Sequence, residues 1–317
     1  MDNKNKETLQ NYNNILGENN TVLDTILETI NSLPEAGSGE PNLQDKSIEI
    51  TENGTINIVA DEGYDGLNNV EIITGVEGSV GKYTPKYITF KGYTGTDLIE
   101  ETANLDTSKL TSMVDIFNQC TNLVNVDLSG WDTSNVTTMG NPYGSMFNSC
   151  KSLTSLDLSH FNTSNVDSMY SLFKECNSLE SLNISNFNTN NVTTMEHMFS
   201  ACKSLLTLHV NHFNTSNVTN MRYMFYGCEK LTELDLSNFD TSKVTTMEYM
   251  FANCPSLKYL DIRNFTFNKV TAYTYMFGTS VMPFSTDCLI IVKDDTAKSW
   301  ILARRSDFTN VKTVAEL

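Results

Sequence analysis

At 317 residues, with 39% hydrophobic side chains, the chain is long enough to bury a sizeable core or to divide into two or three small domains. A formal charge of −17 with no block of Lys or Arg repels phosphate backbones and anionic bilayers, so no nucleic-acid partner is expected. No apolar run reaches the ~20 residues that span a bilayer, and the first seven residues lack the apolar core of a secretory signal. Membrane insertion is therefore not expected.

The charge is uneven. Residues 1–104 hold 18 acidic and 6 basic side chains, against 20 and 15 in the remainder. In this acidic third, Leu9, Leu16, Leu23 and Ile30 fall seven apart, with Tyr12, Asn19, Ile26 and Leu33 as a companion seam. The heptads predict a helical or coiled-coil stalk over 1–36. Leu9, Leu16, Leu23, Ile26, Ile30 and Leu33 would be its oligomerisation contacts, in a homo-oligomer that could be a trimer. Gly17 and the cluster Asn19-Asn20-Thr21 interrupt the pattern, which leaves open a single surface helix packed on the body. Pro34 and the Gly/Pro-rich stretch after it stop the helix, making 37–47 a linker. Ile48 and Ile50 alternate before Glu52-Asn53-Gly54, and Ile56 and Ile58 follow, a hairpin signal that opens a small β-module over 48–76. Val70, Ile72 and Thr74 could add a third strand, and 77–85 reads as a second linker.

From 86 to 317 the chain repeats. Phe147, Phe173, Phe199, Phe225, Phe251 and Phe277 are 26 residues apart, and Phe117 precedes them by 30, the extra four lying around Gly140-Asn141-Pro142-Tyr143. Three residues after each Phe comes a cysteine, from Cys120 to Cys254, until Ser280 takes the place in the last copy. Within one unit, Leu153, Leu156, Leu158 and Phe161 have the L-x-x-L-x-L spacing of a short strand packed on one side, with Asp157 pointing outward. Asn162-Thr163-Ser164-Asn165 suits a turn and a helix N-cap. Val166, Met169, Leu172 and Phe173 then follow at helical spacing. The expected fold class is an α/β repeat solenoid of leucine-rich type, with a parallel strand ladder, short helices opposite, and caps at both ends. The entry cap would run from Lys86 to Phe90, and the exit would begin at Leu289-Ile290-Ile291-Val292.

The run from Leu234-Asp235-Leu236 through Asp240-Thr241-Ser242, Val244 and Met247 to Met250-Phe251 and Cys254 resembles the BspA-like leucine-rich repeat surface proteins of bacteria and their phages. The resemblance covers about 105–280. It implies a solenoid for adhesion or receptor binding, with a protein or glycan of a cell surface as ligand, and no catalytic residue.

The candidate sites are few. One cysteine per unit lacks the paired C-x-x-C spacing of a zinc site and reads as a small buried apolar position. His160, His209 and His212 have no Cys or carboxylate partner at ligand spacing, and the outward Asp column reads as a polar ladder, so no metal and no cofactor is expected. No nucleophile, base and oxyanion loop recur together, so catalytic residues are not expected. Two residues before the repeat Phe stand Ser171, His197, Tyr223, Tyr249 and Tyr275, with Arg222 and Tyr226 beside them. His197, Tyr223, Tyr249, Tyr275, Arg222 and Tyr226 form the candidate binding surface, because aromatic rings stack on sugars and anchor interfaces. The alternative is that the rings only shield the repeat. The expected role is a phage virion component, tail or fibre, or an adhesin. It would recognise a host-surface protein or glycan and join a virion structural protein through its N-terminal segment. Purely structural decoration of a particle, or a cell-attached bacterial adhesin, are the alternatives.

Overall fold

The computed structural model describes residues 107–317, the short stretches 90–93 and 95–98, Thr102, and the backbone alone of 46–50 and 56–60. The expected stalk over 1–36, the first linker up to residue 45, the second linker and the third strand of the β-module lie outside the described residues, and residues 46–47, expected in the first linker, belong to a strand. Strands β1 (Lys46–Ile50) and β2 (Ile56–Ala60) pair antiparallel with Ile50 opposite Ile56. That is the hairpin expected around Glu52-Asn53-Gly54.

The repeat is a β-solenoid of about seven turns with a 26-residue period. One side of each turn is a strand of two or three residues: β3 (Asp97–Leu98) and β4 (Asn125–Val126), then further along β7 (Ser155–Asp157) and β9 (Ser181–Asn183). β3 pairs with β4, and β7 with β9, both parallel and in register. Two turns later β10 (Glu233–Asp235), β11 (Tyr259–Asp261), β12 (Leu289–Val292) and β13 (Val311–Thr313) form a four-stranded parallel sheet. As the alternation requires, Leu156 and Leu234 point inward while Asp157 and Asp235 face out. Each outward Asp also closes its own turn: the Asp157 carboxylate accepts from the Ser159 N–H at 2.9 Å, and Asp127 and Asp235 do the same. These hydrogen bonds hold the Asp127 and Asp157 carboxyls below the usual carboxylate range.

The short helices are not there. Residues 107–280 contain no helix, and a chain of β-turns replaces the expected one. Val166 N–H donates to Thr163, Leu172 to Met169, Cys176 to Phe173 and Leu179 to Cys176, each closing a three-residue step. Steps of three put Val166, Met169, Leu172 and Phe173 on the inside with the spacing of a helix, which is why the sequence reads as one. Two residues per turn take a left-handed backbone that no helix tolerates. They are Ser171, His197, Tyr223, Tyr249 and Tyr275 (φ from +53 to +58), and the residue before each cysteine, such as Glu175 and Ala201 (φ +59). Apart from Tyr275 in the last copy, their N–H groups bond to the next turn of the solenoid, as in Ser171 to Glu196 O at 2.8 Å and Glu175 to Ser200 O at 2.7 Å. The fold is therefore a β-solenoid, not an α/β one.

Between the two ladders the core is stacked in columns. Phe90, Phe117, Phe147, Phe173, Phe199, Phe225, Phe251 and Phe277 stack with centroids 5.3–5.9 Å apart. Phe90 heads the column, one member more than the repeat count predicts. The cysteines are buried and free, and in the column from Cys120 to Cys254 each thiol donates to the carbonyl of a Phe one turn back, as Cys202 does to Phe173 at 3.1 Å. Burial pushes the Cys120, Cys176 and Cys254 thiols up to about 12. The corner read as an N-cap is a column of buried threonines. Thr163 Oγ1 donates to Asn188 O at 3.0 Å and accepts from Asn188 N at 2.7 Å, and Thr133 and Thr189 repeat the arrangement.

The four-residue insertion is a hairpin. Strands β5 (Thr138–Asn141) and β6 (Gly144–Ser145) pair antiparallel around Tyr143, which is 93% exposed. A short strand β8 (Ser168–Met169) extends β5 in parallel. At the far end α1 (Asp295–Leu302), capped by the Asp294 side chain, closes the stack by laying Trp300 on Phe267 at 4.0 Å. Arg304 covers the Trp300 ring at 3.8 Å. The exit strand expected at 289–292 is β12, and β13 extends the sheet one strand further.

Candidate binding surface

Equivalent positions on successive turns are separated by the ladder pitch of ~4.8 Å, close to the contact distance of two flat rings. The column two residues before each Phe meets that condition. His197 lies on Tyr223 at 4.6 Å and 8°, and Tyr223 on Tyr249 at 4.5 Å and 4°. Tyr275 continues the row at 5.2 Å but is tilted by 59° and is 48% exposed. Four of the predicted residues therefore form one continuous stack. Its first three rings are half-buried.

The other two predicted residues border it. Tyr226 sets its ring edge-on to Tyr223 at 5.3 Å and Tyr249 at 6.5 Å. The Arg222 guanidinium is 4.8 Å from the centre of the Tyr223 ring and is held between Glu196 at 3.4 Å and Glu248 at 3.1 Å, carboxylates of the turns before and after. Tyr170, which sequence reasoning passed over, closes the row edge-on to His197 at 6.1 Å. Its position one residue off the aromatic column hid it.

Stacking decides what the row can offer. Tyr223 has His197 on one face and Tyr249 on the other, so neither face is open to a sugar. Along most of its length the row presents ring edges, with an open face only towards Tyr275. Burial pushes the Tyr223 hydroxyl up, against the pull of Arg222. His197 is driven the other way, down to about 4, first by burial and then by Lys174 and Arg222. Its Nδ1 is buried without a hydrogen-bond partner.

The histidines weighed as a cluster are apart in role. His160 Nε2 meets Leu128 O at 2.7 Å and His212 Nε2 meets Ile184 O at 3.1 Å, links to the previous turn like those of Asn186, Asn238 and Asn264 in this column, which bond to the adjacent carbonyl. Among the described residues no three His, Cys, Asp or Glu side chains are placed to hold a metal ion, and no helix is long and apolar enough to cross a membrane. The seam from Leu9 to Leu33 lies outside the described residues.

Fold and surface together define a β-solenoid repeat protein whose outer side carries an aromatic stack. Residues 87–206 and 169–288 match the family model described as "Mycoplasma protein of unknown function, DUF285". The chain belongs to this family, which agrees in broad outline with a BspA-like repeat protein. No curated protein and no solved structure matches it.

Proposed function

We propose that this is a non-enzymatic binding protein, a phage tail or surface-fibre component or an adhesin, that recognises a protein or glycan on a host cell surface. The supporting observation is the row His197–Tyr223–Tyr249–Tyr275, fixed by the solenoid's own backbone and ending in the half-exposed ring of Tyr275. A ligand meeting such a row loses little side-chain entropy from the protein, because the rings are already ordered. The N-terminal segment would attach the protein to a virion structural protein as a homo-oligomer. On this reading the ligand lies along the ring edges and closes over Tyr275, and does not stack on each tyrosine in turn.

Replacing Tyr223, Tyr249 and Tyr275 together by Ala should lower binding to host cells or their wall glycans by roughly ten-fold or more. The measurement is adsorption of the purified protein, with circular dichroism to confirm folding. The occupied faces of Tyr223 and Tyr249 favour a second reading, in which the stack only stiffens the solenoid and the protein decorates a particle. Unchanged adsorption by a folded triple variant would select it.

A further inference from the structure

One turn contributes no strand to the ladder. β7 pairs with β9 and β10 opens the next sheet, while residues 207–209 between them form no strand. Just before them Leu206 is 54% exposed, where neighbouring turns carry Glu180 and Thr232. An open cleft of about 670 Å³ begins there and runs over two further turns to the cap loop at 283–287. Its apolar lining is Leu206, Pro255, Pro283 and Phe284, with Ser and Thr hydroxyls between them. Lys230 and Lys258 also line it, facing one carboxylate, that of Asp287.

The charge is the informative part. The nearby lysine Lys203 is paired with Glu229 at 3.1 Å, and Lys151 with Glu175 at 3.8 Å. Lys230 and Lys258 have no ion pair among the described residues, as is also true of Lys109, Lys174, Lys243, Lys269, Lys293 and Lys312; these two differ in lining the same cleft. A cleft of this volume accepts a small ligand or a few units of a polymer. Apolar patches beside hydroxyls match the two-sided chemistry of a sugar ring, and two ammonium groups on one cleft match carboxylates. Asp287 opposes a densely charged chain such as a polyphosphate.

We propose that this cleft is a second binding site, for a carboxylate-bearing oligosaccharide of two or three sugars. It shares no residue with the aromatic row, so either site can fail without the other. The test is calorimetric titration of the full chain with trigalacturonate at low salt. Binding should weaken as salt is raised. It should fall roughly ten-fold or more in Lys230→Glu/Lys258→Glu. It should persist in Lys230→Arg/Lys258→Arg and in the triple tyrosine variant. Both lysines are exposed, so an unchanged unfolding midpoint is expected for the Glu variant. The proposal is overturned if trigalacturonate releases no heat, or if the Glu variant binds equally well. Equal binding of uncharged galactotriose or of a triglutamate peptide would overturn it too.

Discussion

The hydroxyl of Thr163 both donates to and accepts from the backbone of Asn188, one turn ahead, and is fully buried while doing so. Valine has the same shape and neither hydrogen-bonding capacity, so Thr163→Val would remove the side-chain partner of the Asn188 N–H and C=O at a part-buried corner. The expected cost is about 2 kcal/mol, read as a shift in the denaturant midpoint. The exposed Thr219, which bonds only to Thr193 O at 3.3 Å, should lose far less when changed to Val. Equal losses at the two sites would show that the buried hydroxyl does not carry the corner. The thiols make the same point from the apolar side: burial, and not chemistry, explains a cysteine repeated once per turn.

At the scale of one turn, the left-handed residues decide the shape. Ala201 sits at φ +59, while the equivalent position one turn later is Gly227 at φ +70. An L-residue in this region costs about 1–2 kcal/mol, and glycine returns part of that through its greater freedom when unfolded. Ala201→Gly should therefore stabilise the protein by about 0.5–1 kcal/mol in urea unfolding, and a destabilised variant would contradict this account. The backbone N–H of Ala201 bonds to Tyr226 O at 2.6 Å, so the strain is held by the neighbouring turn. The same holds for His197, Tyr223 and Tyr249 of the aromatic row, which combine a left-handed backbone with an N–H donated to the next turn. Ring order there is a product of the ladder.

Across the whole molecule no turn can bury its own Phe, Met and Leu, so the described solenoid should unfold as one cooperative body. A local titration then appears in global stability. His197 has its folded value near 4 and an ordinary unfolded value near 6.5, so between these the unfolded chain binds the extra proton. Stability from this residue is complete above about pH 6.5 and is lost as pH falls towards 4. His197→Tyr, the residue of the next three turns, should flatten the decline between pH 6.5 and 4.5. Thermal unfolding across that range checks it, and an unchanged slope would remove His197 as the cause. Asp127 and Asp157, with lowered values, act only at lower pH and leave this window clear.

Much of this protein was legible in its residues. The 26-residue period, the inward Leu156 and Leu158, the buried cysteines, the insertion at Gly140 to Tyr143 and the alignment of His197, Tyr223, Tyr249 and Tyr275 all follow from periodicity, because stacking repeats any chemical choice once per turn. The path between those positions did not follow. Val166, Met169, Leu172 and Phe173 suit a helix and a chain of three-residue turns equally. The choice is made by hydrogen bonds to the neighbouring turn, partners that lie about 25 residues away in sequence. For the same reason the sequence placed the tyrosines in a row but could not say that they stack face on face. Nor could it bring Leu206, Lys230, Lys258 and Pro283 to one cleft. Periodicity is a property of the chain, whereas ring orientation and cleft walls are set by the pitch between turns, which only the stacked solenoid possesses.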